Sequence, residues 1–89
     1  MKTIYKQRLE IYDRQKVMIQ QDFRVLHLGE QDGHACMWFE CTADAPMKEI
    51  EVLCFGTGHP MPDRLDLRYI GTVATCDGRG IWHFYLREE

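Results

Sequence analysis

Apolar and polar residues alternate with a two-residue period along much of this chain, and turn signals cut the alternation every ten residues or so. That period belongs to a half-buried β-strand, whose successive side chains point to opposite faces. Between Thr3 and Ile11, Tyr5, Leu9 and Ile11 fall on one parity and Lys6, Arg8 and Glu10 on the other. Tyr12 to Gln15 is polar and turn-like. Lys16 to Gln20 reads as a second short strand with Val17 and Ile19 on one face. A helix over residues 9–22 is the weaker alternative. No N-cap or capping box precedes it, and its apolar positions miss a 3.6-residue repeat.

Residues 23–28 and 35–42 are apolar on both parities, apart from a few polar members. Asp32-Gly33 lies between them, a pair that tolerates positive φ at both centres of a tight turn. An antiparallel hairpin is expected over residues 23–42, at the centre of the sheet. Ala43 to Pro46 is a turn. In residues 48–55, Ile50, Val52 and Cys54 point in, while Glu49 and Glu51 point to solvent. Residues 56–67 form the longest irregular stretch, with room for a single helical turn around Pro62–Leu67. Residues 68–75 and 80–87 make a last hairpin across Asp77-Gly-Arg-Gly80. About seven short strands spaced in this way define an all-β chain, a small antiparallel sandwich or partly open barrel.

Length and composition narrow the function classes. Eighty-nine residues make one domain, and a hydrophobic share of 45% is enough for a packed core. A chain this small often gains stability by oligomerising, and Ile81 to Leu86 is apolar on both parities, so a homo-oligomer is expected. A formal charge of -3 and a pI of about 5.8 argue against a nucleic-acid partner. No apolar run approaches the 18 or so residues of a membrane span. Met1 to Arg8 lacks the apolar region of a signal peptide. The expected location is cytoplasmic, with Cys36, Cys41, Cys54 and Cys76 as reduced thiols.

The loop Gly56-Thr57-Gly58-His59-Pro60 is the first candidate site. Glycines let backbone amides approach an anion, and Thr57 and His59 add side-chain donors. The plainer account is a bend at a strand end, and it carries more weight, because no phosphate-binding motif is matched. Arg64, Arg68 and Arg79 flank the loop and the last turn as candidate anion partners, with surface solvation the plainer account of each one singly. Tyr85 is a candidate interface residue on a strand apolar on both faces. His34, Cys36 and Cys41 lie close in sequence but lack the spacing of a zinc site, so neither metal nor cofactor is expected. No spacing supports nucleophilic catalysis. A hydrolase using His59 ranks lowest.

Ile4-Tyr-Lys6 with Leu9 and Gln15, Trp38, the Gly56–Pro60 loop, Tyr69-Ile-Gly-Thr-Val73 and Trp82-His83-Phe84 resemble a family of small phage and prophage proteins to which no activity is attached. The resemblance spans nearly the whole chain and is sharpest in the loop and the last two strands. The chain departs from it at Phe84-Tyr85-Leu86, where Val-Phe-Glu is usual, and at Gln20-Gln21-Asp22, where a proline-containing turn is usual. The resemblance implies a phage setting, expression in the cytoplasm of a bacterial host, and no catalysis. Within that setting the expectation is stoichiometric binding in counter-defence. The target is either a host defence protein or a small anionic signalling nucleotide. The alternative is a virion or assembly component.

Overall fold

The computed structural model describes residues 1–64, 66–74 and 80–87. Among them seven strands run in chain order: β1 (Lys2–Leu9), β2 (Arg14–Gln20), β3 (Arg24–Gln31), β4 (His34–Thr42), β5 (Met47–Gly56), β6 (Leu67–Ala74) and β7 (Ile81–Arg87). They form two antiparallel sheets, ordered β1-β4-β3 and β2-β5-β7-β6. The sandwich expectation holds, and the sheets do not close into a barrel. The expected 23–42 hairpin exists, but it does not hold the centre of one sheet. β4 is central in the smaller sheet and β3 is its edge.

Local chemistry explains the turns. Asp32 (φ 52°) and Gly33 (φ 84°) are both left-handed, as a two-residue hairpin loop requires, and Gln31 pairs with His34 across it. The Glu30 carboxylate accepts from the Gly33 amide at 2.6 Å. β1 stops at Leu9 rather than Ile11. The Gln15 amide group closes the bend, donating to the Glu10 carbonyl at 2.7 Å and accepting from the Glu10 amide at 3.0 Å. The Asp22 carboxylate accepts from the Thr42 amide, which ties the β2–β3 turn to the end of β4. That bond holds its pKa below the ordinary carboxylate value. The expected helical turn near Pro62–Leu67 is absent among the described residues. There the Arg64 amide donates to the Pro62 carbonyl, which is tighter than any helical turn, and Leu65 lies outside the described residues. The Asp77–Gly80 turn also lies outside them, up to Gly80.

One cluster of side chains fills the space between the sheets. Leu9, Ile19, Met37, Cys41, Val52 and Phe84 are its most enclosed members. Burying a large apolar side chain completely contributes roughly 1.5–3 kcal/mol each. A β-bulge explains why residues 23–28 look apolar on both parities. The register shifts between Val25 and His27, so Val25 and Leu28 both reach the core while Leu26 is left outside. A second bulge, between Tyr69 and Gly71, lets β6 pack against β3. A Cβ on Gly71 would lie 2.6 Å from Leu28 Cβ, and its φ of 153° suits glycine.

Gly71→Ala is therefore expected to cost about 2–4 kcal/mol, from overpacking and backbone strain together. Gly58→Ala meets open space at φ 85° and should cost only about 1–2 kcal/mol. Urea denaturation of both variants measures the difference. Equal losses would mean that the β3–β6 contact is not tight.

Candidate functional site

The outer face of the four-stranded sheet is where chemistry and exposure meet. β5 and β7 pair Leu53 with Tyr85 and Phe55 with His83, while Val52, Cys54, Phe84 and Leu86 take the core parity. β7 and β6 then pair Tyr85 with Tyr69 and His83 with Thr72. The bulge at Ile70 makes this possible. Continued from Ala74–Ile81 without a shift, the register would set Tyr69 opposite Leu86, on the core side. The result is an aromatic row across three strands. Phe55 meets Tyr85 edge-to-face at 5.8 Å, and Tyr85 meets Tyr69 at 5.5 Å. Tyr69 is 54% exposed and Ile81 42%.

A hydroxyl–imidazole chain borders the row. Thr57 Oγ1 and His83 Nε2 are hydrogen-bonded at 2.7 Å, and His83 Nδ1 and Thr72 Oγ1 at 2.9 Å. Tyr69 Oη bonds to the same Thr72 hydroxyl. Either tautomer of a neutral imidazole satisfies both of its bonds, because each hydroxyl can donate or accept. The chain fastens the Gly56–Pro60 loop, β7 and β6 together on one face.

The loop itself is a bend. The His59 amide donates to the Gly56 carbonyl at 3.0 Å, and Gly58 has φ 85°, the arrangement of a type II turn. The Thr57 amide donates to the Ile81 carbonyl. The amides of Thr57 and His59 therefore face the protein, not a ligand. The His59 ring folds back over Gly56 and meets Trp82 edge-on at 6.0 Å. A Cβ at Gly56 would lie 2.7 Å from that ring.

Beside the row, a cleft of about 520 Å3 lies between the β1–β2 turn and the loop. Leu53, Phe55, Pro60 and Pro62 line it, with His59 and Arg64 among its polar groups. Three of the residues singled out in the sequence, His59, Pro60 and Arg64, thus share one cavity. Tyr85 belongs to the adjoining row and Thr57 to the hydroxyl–imidazole chain that borders it. Arg79 lies outside the described residues.

Electrostatics disfavour a free anion site. Arg64 forms a two-bond fork with Asp66, Nε to Oδ1 at 2.9 Å and Nη2 to Oδ2 at 2.5 Å. The shared hydrogen bonds raise the guanidinium pKa and lower that of the carboxylate. Arg87 adds to Asp66 at 3.2 Å and to Glu51 at 3.7 Å, and Arg14 reaches Glu51 at 3.4 Å. Glu51 was expected to face solvent. It does sit on the outer face, but Arg14 and Arg87 cover it and leave its side chain only 11% exposed. Arg68 also takes part in an interaction.

Nucleophilic chemistry finds little support in the cleft. Cys54 lines it together with His59, but burial first, and then Asp13, push the thiol up to about 11. A thiol protonated at neutral pH is a poor nucleophile. Cys36 and Cys41 are likewise buried and unpaired. Among the described residues no three His, Cys, Asp or Glu side chains converge on a metal position. No helix among them is long and apolar enough to cross a membrane.

The fold and this face define a small open β-sandwich with a partly exposed aromatic row on one outer face. A family model, described as a domain of unknown function (DUF7352), matches residues 1–89, so the chain belongs to that family. No curated protein and no solved structure matches it.

Two measurements follow from the charges. The lowered pKa of Asp66 means that its ion pair stabilises the fold fully above the ordinary value of 3.8. The contribution is lost as pH falls through the lowered, folded-state value. Acid titration followed by circular dichroism should therefore fall more steeply for the wild type than for Asp66→Asn, and parallel curves would contradict the pairing. In the native protein at about pH 8, Cys54 should resist iodoacetamide until denaturant is added. Rapid native labelling, located by peptide mass spectrometry, would show the thiol to be accessible.

Proposed function

We propose that this chain acts by stoichiometric binding, without catalysis, and that the outer face of the four-stranded sheet docks onto a protein partner. The observation that carries this reading is the row Phe55–Tyr85–Tyr69, which is partly exposed, cross-braced and open to one side. Tyrosines contribute large contact area at little entropic cost and dominate the centres of interfaces. The cleft beside Phe55 gives an apolar side chain of the partner somewhere to seat. The paired charges Arg14, Glu51, Arg87, Asp66 and Arg64 form a polar rim at one end.

The resemblance to phage and prophage proteins supports a setting for the binding, the cytoplasm of an infected bacterium. A host defence protein is the partner that best suits it. Capture of a signalling nucleotide has weaker support. The loop amides of Thr57 and His59 turn inward, and the nearby arginines already hold carboxylates. Thr57 with His83 has the order of a nucleophile and a base. However, neither residue lines a described cleft, and a surface pair lacks the enclosed, water-poor site that acyl chemistry needs.

Native mass spectrometry of the chain purified from infected cells tests the proposal, alongside Tyr69→Ala and Tyr85→Ala. A complex with one other protein is expected, weakened at least about thirtyfold by each substitution. Tyr69→Ala should lower the melting temperature by only about 5 °C, the loss of one edge contact and one surface hydrogen bond from a half-exposed ring, and so leave the fold intact. A complex unaffected by both substitutions would overturn the docking face. A complex made only of second copies would assign the face to self-association, and recovery in purified particles would favour assembly.

A further inference from the structure

The other outer face of the sandwich has a different chemistry. On the three-stranded sheet, Ala35, Met37, Phe39 and Cys41 of β4 take the core parity. The opposite parity sets Lys2, Ile4, Lys6 and Arg8 of β1 beside Thr42, Glu40, Trp38 and Cys36. From β3 it adds Arg24, His27 and Gly29. Four cations therefore share this face with one carboxylate, Glu40, in a chain whose formal charge is -3. Glu40 bridges Lys2 at 3.8 Å and Arg24 at 3.4 Å. Among the described residues, Lys6 reaches an uncharged partner, the Gln31 side chain, and no carboxylate. Arg8 pairs with Glu10, just beyond the strand, at 3.5 Å. Trp38 and His27 lie together at the centre, ring centroids 5.7 Å apart. Ile4 is 59% exposed.

β1 is also a sheet edge of a particular kind. It pairs with β4 over eight residues without a register shift. The edges β3 and β6 both carry bulges and pack against each other. β2 is regular too, but its cations are matched within its own sheet, Arg14 by Glu51 and Lys16 by Glu49. Among the described residues, then, β1 is the regular edge with a cation, Lys6, that meets no carboxylate, while Lys2 shares Glu40 with Arg24 and Arg8 pairs only with Glu10 beyond the strand. A straight, unpaired edge is a template for strand addition. Opposite charges facing each other across strands favour such pairing, and like charges oppose it.

We propose that the free edge of β1 takes an extended, acidic segment of a partner protein as a fourth strand. Asp or Glu at alternate positions of that segment lie beside Lys6 and Arg8 or Lys2. Acids two residues apart meet Lys6 and Arg8, and the next position on the same face, toward Lys2, packs against Ile4. The two-residue period places successive carboxylates about 7 Å apart, the same spacing as the cations they meet. Nucleic acid suits the face less well, because Glu40 sits amid the cations and the net charge of the molecule repels phosphates at long range. The face is separate from the Tyr69–Tyr85 surface, so it does not depend on the docking proposed there.

The test uses the full chain and a yeast-displayed library of random peptides of strand length, about eight to ten residues. Enriched peptides should carry acidic residues at alternate positions. In heteronuclear NMR they should shift the amides of residues 2–9. Binding should weaken at least about tenfold in the Lys6→Glu/Arg8→Glu variant, and less in Lys6→Gln/Arg8→Gln. It should also weaken as salt rises from about 0.1 to about 1 M, which shortens the Debye length from about 10 to about 3 Å. An unchanged amide spectrum away from β1 shows that both variants fold. Peptides without an acidic excess, equal binding by the charge-reversed variant, or shifts confined to β6 and β7 would overturn the proposal. Tighter binding of an oligothymidine strand at the same salt would replace the acidic segment with nucleic acid.

Discussion

β5 has to be covered on both of its faces, and most of the molecule is arranged to do so. Its inward residues Ile50, Val52 and Cys54 belong to the core. Its outward residues include Leu53, only 4% exposed, and Phe55. A strand apolar on both sides is stable only between two layers, yet this sandwich supplies a second sheet on one side only. The outer cover is improvised from Tyr85 across the strand, the loop after Gly56 and the arginines anchored on Glu51 and Asp66. The candidate site is that cover. Its cleft exists because a loop and a turn seal an apolar strand less completely than a sheet would.

The same constraint accounts for the carboxylates. Glu51 sits beside Leu53 on the outer parity, where a charge needs partners once side chains close over it. Arg14 and Arg87 supply them from the neighbouring strands β2 and β7. Arg87 and Arg64 converge on Asp66, which ties the start of β6 to this network. Arg64, which reads in the sequence as anion-seeking, is in three dimensions neutralised by Asp66 of the same chain.

Alternation made the strands legible, and Asp32-Gly33 made one turn legible down to its φ angles. What alternation cannot show is which strands pair. β1 finds β4 and β2 finds β5 across two intervening strands each, so two sheets emerge where one central hairpin was expected. The bulges were hidden for a related reason. Each flips the parity of everything on one side of it. The bulge at Ile70 turns Tyr69 outward to meet Tyr85, a contact that parity counted back from the last hairpin would deny. Residues 23–28 carried a readable trace of their bulge in being apolar on both parities, whereas residues 67–74 carried little.

His83 shows how far a single residue type falls short of naming a site. Its partners Thr57 and Thr72 lie 26 and 11 residues away, and only strand register brings them to its two nitrogens. His59, the histidine inside the distinctive loop, packs on Trp82 over Gly56. The loop's glycines are thereby explained without a ligand: Gly56 makes room for an imidazole, and Gly58 supplies a left-handed turn position. What remains exposed is the Tyr69–Tyr85 end of the aromatic row, where the two rings meet at 61° and the Tyr69 hydroxyl bonds to Thr72. On a molecule this thin, 16 Å across its shortest extent, that surface is also close to the opposite, cation-bearing face. One small sandwich therefore carries two chemically different faces back to back, an aromatic one on the four-stranded sheet and a cation-bearing one on the three-stranded sheet.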